Sequence, residues 1–315
     1  MSPINTSLAF VFPGQGSQSV GMLGDLSASY PEIKQTFEEA SDALGWDLWA
    51  LSQEGPVDTL NMTRNTQPAV LTASVALWRA LQSQVSIAPA SMAGHSLGEY
   101  SALVCANSLD FVDAVKLVEQ RANFMQAAVP EGEGAMAAIL GLEVDVLIKI
   151  CDEASQSEVV SAVNFNAPGQ VVIAGNTAAV NRAIDEAKNQ GAKRALPLPV
   201  SVPSHCALMG PAADRLTGSL NELSFASPDV TVLHNTDVLA HTNSNQIKEA
   251  LIKQLYTPVR WTETALKLFE GGASTLVECG PGKVLSGLNK RINRDLTLLS
   301  MGDEGAFNKT LEALS

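Results

Sequence analysis

A chain of 315 residues has room for one large core, or for one large core with a small inserted domain. With 46% hydrophobic and 17% charged residues it has an ordinary globular composition, and a formal net charge of −13 argues against nucleic-acid binding. No apolar run approaches the roughly 18 residues of a membrane span. The N-terminal apolar stretch Leu8–Phe12 is cut off by Pro13-Gly14 and does not make a secretory signal. Cys105, Cys151, Cys206 and Cys279 are far apart and form no CxxC pair, which fits reduced thiols in a cytosol better than a disulfide frame or a zinc site.

Ser7–Phe12 reads as a buried strand running into Pro13-Gly14-Gln15-Gly16-Ser17-Gln18, a loop whose glycines let a backbone N–H approach a ligand closely. A dinucleotide fingerprint would need a third glycine where Ser19 stands. Pro31–Leu44 and Pro68–Gln84 follow as helices. The second has its proline at the first turn and a core-facing stripe of Leu71, Val75, Trp78 and Leu81.

Ala90–Ala93, the turn Gly94-His95-Ser96-Leu97-Gly98-Glu99-Tyr100, and Ser101–Ala106 read as strand, sharp turn and helix. Glycines at 94 and 98 have no Cβ, so the backbone folds tightly and pushes the Ser96 side chain out at the end of the sheet, the layout of a nucleophile elbow. The N–H of Leu97 then lies at a helix start, where unpaired donors and the positive end of the dipole favour an oxyanion. A merely structural turn shares the same short pattern. Asp110–Ala128 is a helix with the apolar stripe Phe111, Ala114, Val118 and Met125, and Arg121 stands on that stripe. A guanidinium keeps its proton, so there it needs an anionic partner or a route to water; snorkelling at a helix edge is the other available reading.

From about Val129 the pattern changes. Gly134–Leu140 is a strand, Val144, Leu147, Ile148 and Cys151 make one helix face, and Val159–Phe165 and Gln170–Ala174 are strands joined around Ala167-Pro168-Gly169. A helix with Val180, Ile184 and Ala187 on one face ends at Gly191, and the strand Lys193–Leu198 follows. This βαββαβ order is the split βαβ of ferredoxin-like domains. Residues 129–199 therefore read as a small α+β insert in a larger α/β domain built from 1–128 and 200–315. Pro197, Pro199 and Pro203 keep the return segment extended and deliver Ser204-His205-Cys206 on a stiff stretch where the two parts rejoin. His205 there either faces a cleft or is a buried histidine satisfied by the backbone.

The rest returns to α/β order: strand Val230–His234, helices Asn245–Leu255 and Pro258–Phe269, strand Thr275–Cys279, helix Lys283–Ile292, strand Leu296–Met301 and a last helix. Gly280-Pro281-Gly282-Lys283 lacks the earlier glycine and the following Ser/Thr of a phosphate loop and reads as a strand-to-helix turn. His234 and His241 have no ligand-like spacing, so no metal is expected.

Several stretches, in order along nearly the whole chain, resemble the malonyl-CoA:acyl carrier protein transacylases of bacterial fatty-acid synthesis and, more distantly, the acyltransferase domains of polyketide and animal fatty-acid synthases. They are Phe12–Gln18, Gly94–Tyr100, Arg121 with Phe124-Met125-Gln126, Asn164–Gln170, Ser201-Val202-Pro203-Ser204-His205, Gln254-Leu255-Tyr256 and Glu278–Lys283. The resemblance implies a hydrolase-like α/β core with a mostly parallel sheet and an inserted ferredoxin-like subdomain. It makes Ser96 the nucleophile and His205 its general base, the backbone N–H groups of Gln15 and Leu97 the oxyanion hole, the backbone carbonyl of Gln254 the group that orients the histidine, and Arg121 the grip on a free carboxylate. It implies transfer of malonyl from malonyl-CoA to the phosphopantetheine thiol of acyl carrier protein through a malonyl-serine, in the cytoplasm, with no metal or redox cofactor and with neither nucleic acid nor membrane as partner.

Such partners are themselves anionic, so docking on an acidic chain needs a locally basic surface. Lys283, Lys290, Arg291 and Arg294 form one, unless they are simply a solvated helix face. A serine esterase also fits Gly94-x-Ser96-x-Gly98, but it would place an Asp or Glu between Ser and His, and no acid between Ser96 and His205 stands in a recognisable setting.

Overall fold

The computed structural model describes residues 4–200 and 202–315; Ser201, in the run that leads to His205, lies outside the described residues. Among those described, the strands are β1 (Asn5–Phe12), β2 (Pro89–Gly94), β3 (Gly134–Leu140), β4 (Val160–Ala167), β5 (Gln170–Asn176), β6 (Arg194–Pro197), β7 (Thr231–Leu233), β8 (Thr275–Glu278) and β9 (Thr297–Ser300). One sheet has the order β7-β2-β1-β8-β9, and each of its pairings is parallel.

The apolar run of β1 has a simple cause. Leu8, Phe10 and Phe12 enter one core with helices Thr63–Gln84 and Phe111–Ala128, while Ala9 and Val11 enter another with Trp261, Leu268 and Leu285. A strand buried on both faces has no place for alternating polar residues.

From β1 the chain builds first to one side, through β2 and β7, and then crosses to β8 and β9 on the other. The crevice outside the strand carboxyl ends at such a reversal is where open α/β sheets bind ligands. Both the loop after β1 and the Ser96 turn after β2 open there, and the His95 N–H donates to the Phe12 carbonyl at 2.9 Å to hold the two together.

The glycines flanking Ser96 are required by space. A Cβ on Gly94 would stand 1.8 Å from the carbonyl carbon of Gly98, and one on Gly98 would stand 2.0 Å from the Phe12 oxygen. The helix after the turn begins at Gly98 with Leu97 already in the right-handed helical region, which puts the Leu97 N–H at a helix start as expected.

The expected helix start at Pro68 is too late. The helix runs Thr63–Gln84 with Pro68 inside it. Asn65 Nδ2 and Thr66 Oγ1 donate to the carbonyls of Thr59 and Leu60 at 2.8 and 2.6 Å, and Arg64, whose carbonyl the proline leaves without its helical donor, is exposed. This added turn carries Gln67 into the site.

The second sheet has the order β4-β5-β3-β6 with each pairing antiparallel, and all four strands fall within 129–199. Helices Val144–Ser155 and Thr177–Asn189 pack on one face through Leu147, Ile150, Cys151, Val180, Ile184 and Ala187. Ile148, expected on that face, is 40% exposed, because Ile150 and Ala154 continue the Leu147 stripe and Ile148 falls beside it. On the other face Met136, Val163, Val172 and Ala174 pack against Cys206 and Leu208. The small sheet thus backs the segment that carries His205.

Candidate active site

Ser96 has φ 52° and His205 has φ 66°, both in the left-handed region that residues with a Cβ enter at a cost of about 1–3 kcal/mol. Each is held there by named bonds. The Ser96 N–H donates to Asn235 Oδ1 at 2.7 Å, and Asn235 Nδ2 donates to the Gly94 carbonyl at 2.6 Å, so one buried amide staples the turn. The His205 N–H donates to the Leu255 carbonyl at 2.9 Å.

The ring of His205 joins two elements. Its Nδ1–H donates to the backbone carbonyl of Gln254 at 2.6 Å, and its Nε2 lies 2.8 Å from Ser96 Oγ. A carbonyl only accepts, so the proton sits on Nδ1 and Nε2 is left as acceptor for the serine hydroxyl. Burial, followed by the charge of Arg121, lowers the imidazole pKa to about 3, so it is neutral and ready as a base throughout the physiological range.

Arg121 is buried at 1% exposure, which rules out snorkelling. Nη1 donates to Gln67 Oε1 at 2.8 Å, and Nη2 donates to Gln254 Oε1 at 2.9 Å and to Ser96 Oγ at 3.3 Å. All three acceptors are neutral oxygens, and Nε has no hydrogen-bond partner among the described residues. A full positive charge is thereby held beside the serine without a carboxylate in contact, an arrangement that favours an anionic ligand.

A cavity of about 220 Å³ opens onto Ser96, His205 and Arg121, and Gln15, Leu97 and Met136 also line it. The backbone N–H groups of Gln15 and Leu97 take no backbone acceptor among the described residues. All six residues expected from sequence therefore lie in or directly against one site, Gln254 as its histidine-orienting wall.

Sequence reasoning passes over four contributions: Gln67, Asn235, the side chain of Gln254, and Glu99. Glu99 is wholly buried, and its carboxylate accepts from His234 Nδ1 at 2.7 Å, from the Asn235 N–H at 2.9 Å and from Gln254 Nε2 at 2.9 Å. The available signal was a lone acid inside the otherwise uncharged helix Gly98–Cys105. It is the acid an esterase reading would look for, yet the group at His205 Nδ1 is the Gln254 carbonyl.

Among the described residues no three His, Cys, Asp or Glu side chains are grouped so as to hold a metal ion, and no helix is long and apolar enough to cross a membrane. In the basic cluster, Lys283 pairs with Asp303 at 3.1 Å and Arg291 donates to Gln170 at 2.5 Å; Val284 and Leu285, beside Lys283, line the cavity.

A serine activated by a carbonyl-oriented histidine, on a parallel sheet and beneath a small antiparallel one, defines a serine acyltransferase site. The chain belongs to the acyl transferase domain family, whose model matches residues 9–295. A malonyl CoA-acyl carrier protein transacylase of Escherichia coli strain K12 is 60% identical over 307 residues, covering 98% of this chain and 99% of its own. An acyl carrier protein S-malonyltransferase of Vibrio cholerae is similar in structure with a TM-score of 0.94 and 58% identity, over 96% of this chain and 99% of its own. A malonyl-transacylase solved in complex with its type II PKS acyl-carrier protein is similar with a TM-score of 0.96 and 55% identity, over 98% of this chain and 99% of its own.

Proposed function

We propose that this protein transfers malonyl from malonyl-CoA to the phosphopantetheine thiol of an acyl carrier protein, in the cytoplasm, and so supplies fatty-acid synthesis. The observation that carries the choice of acyl group is the Arg121 guanidinium, buried 3.3 Å from Ser96 Oγ with only neutral partners.

Ser96 Oγ attacks the thioester carbonyl and its proton passes to His205 Nε2. The new oxyanion is met by the N–H groups of Gln15 and Leu97, and loss of one such donor typically costs about 2.7–4 kcal/mol. The C–S bond breaks, the CoA thiol leaves with the proton from His205, and a malonyl ester remains on Ser96. The carrier's thiol then repeats these steps in reverse order of bonds. Proton and acyl group are both accounted for, so the cycle needs no metal or redox cofactor.

Arg121 supplies selectivity. A bidentate pair with the malonyl carboxylate favours malonyl over acetyl by roughly 2–4 kcal/mol, on the order of 30- to 1000-fold, because acetyl leaves the buried charge unpaired. The bound carboxylate also cancels a charge that depresses His205, so the correct substrate strengthens the base that activates Ser96. Carrier docking is assigned to Lys283, Lys290, Arg291 and Arg294, on and flanking helix Val284–Ile292, which starts at the cavity rim. Four buried free cysteines suit a reducing compartment.

Intact-mass measurement after mixing with malonyl-CoA tests the chemistry. A malonyl adduct that disappears in Ser96→Ala is expected. An adduct of equal yield in that variant removes Ser96 from its role.

A further inference from the structure

Glu99 lies behind the site, touches no space a substrate can enter, and yet bonds to the groups that shape it. Its carboxylate is 0% exposed and has three donors. One is the backbone of Asn235, whose side chain fixes the Ser96 turn. Another is Gln254, whose amide has three roles: Nε2 donates to Glu99 Oε2 at 2.9 Å and to the Ser96 carbonyl at 3.0 Å, while Oε1 accepts from Arg121 Nη2 at 2.9 Å. A single amide therefore stands between the buried carboxylate and the buried guanidinium, its negative end toward the cation and its positive end toward the anion.

This spacing differs in kind from a salt bridge. A carboxylate in direct contact would occupy the fork of Arg121 and cancel its appeal to a substrate acid. A carboxylate one amide away lowers the cost of burying the cation while leaving the guanidinium face beside Ser96 open. Tyr100, the other ionisable neighbour of Arg121, does not share this task, since burial raises its pKa to about 12 and keeps it neutral.

We propose that Glu99 is a positioning and specificity-determining residue: its negative charge, relayed through Gln254, sets how tightly Arg121 grips the substrate carboxylate and keeps that grip loose enough for the acyl group to leave. This rests on the reading of Arg121 as the carboxylate clamp.

Glu99→Gln removes the charge with little change of shape. Its Oε1 can still accept from Asn235 and Gln254, and its Nε2 can donate to His234 Nδ1 if that ring carries its proton on Nε2, a buried atom with no partner to lose among the described residues.

The experiment measures steady-state KM and kcat with malonyl-CoA and acetyl-CoA, together with acyl loading by intact mass, for wild type, Glu99→Gln and Arg121→Met. In Glu99→Gln, KM for malonyl-CoA and the matching kcat should fall together, and the preference for malonyl over acetyl should widen on the order of tenfold. An equal loss for both acyl groups, or unchanged kinetics, overturns the proposal. If Glu99→Gln does not fold, Glu99→Gln/Arg121→Met should fold, because both buried charges leave together; an unfolded double variant also overturns it. Arg121→Met alone separates the two readings. If it keeps the malonyl preference, the clamp fails, whereas loss of preference there with an even effect in Glu99→Gln defeats only the role of Glu99.

Discussion

The two walls of the cavity are built on opposite plans. On the parallel-sheet side Ser96 and Arg121 are backed by Gln254, Asn235 and Glu99 in one connected network, with only Arg121 Nε left without a partner among its described members. The wall from the small-sheet side is largely apolar, with Met136, Val172, Leu198 and Val200 facing the same space beside Asn164 and Asn166. Its polar tie to the turn is Asn166, whose Oδ1 lies 2.8 Å from His95 Nε2. In a bonded network, removing one member strands its partners, while an apolar wall loses only packing and volume. The difference teaches that reactivity belongs to one half of the molecule and shape to the other.

The strongest way to break this division is Ser96→Ala, which should abolish the malonyl adduct seen by intact mass. Next comes Arg121→Ala, expected to lower malonyl loading roughly 30- to 1000-fold while acetyl loading is kept or raised. A proportional fall in both would dissolve the clamp. Asn235→Ala should be third. It leaves the Ser96 N–H and the Gly94 carbonyl without partners, costing about 1–3 kcal/mol in thermal or urea unfolding, and it frees the left-handed turn, so kcat should fall as well. Normal kcat with lost stability would show the staple to be structural only.

The histidine sharpens the comparison through pH. Its folded pKa is depressed to about 3 from an ordinary 6.5, so between these values the unfolded chain binds the proton and the folded one does not. The stability His205 contributes is present above pH 6.5 and is lost as pH falls toward 3. Melting temperature should decline across that window less steeply in His205→Gln than in wild type. The acid limb of kcat/KM with malonyl-CoA should also fall below pH 6.5. The smallest effect on catalysis belongs to the apolar wall: Met136→Ala should cost about 2 kcal/mol or more of stability yet leave the malonyl-to-acetyl preference intact.

What the sequence makes legible follows the same divide between local and distant causes. Ser96 and Arg121 stand out because each breaks a local rule, a serine between two glycines and a charge on an apolar stripe. The succession of strands and helices is read from buried runs such as Leu8–Phe12 and from the βαββαβ pattern, while the strand order is not. The supporting network does not announce itself this way. Gln67 is an ordinary polar residue until Arg121 meets it 54 positions later, and Asn235 gains its role from a turn 139 positions earlier. The start of the helix at Thr63 is equally hidden, since the side-chain bonds of Asn65 and Thr66 reach back to the preceding turn and outweigh the usual placing of a proline. Ile148 is misplaced for a smaller reason, one residue of helical phase.

One feature of the histidine shapes the fate of the acyl ester. Burial and the charge of Arg121 make the His205 ring a weak base, and because its Nδ1–H rests on an uncharged backbone oxygen the imidazolium formed at Nε2 has no carboxylate against it. Water, like the Ser96 hydroxyl, hardly ionises unaided and depends wholly on this base, but it is not tethered 2.8 Å from Nε2 as Ser96 Oγ is. A thiol is already partly ionised near neutral pH and asks for far less. On the proposed mechanism, an ester on Ser96 should therefore react with a thiol faster than with water, so that parts shared with hydrolases would favour exchange.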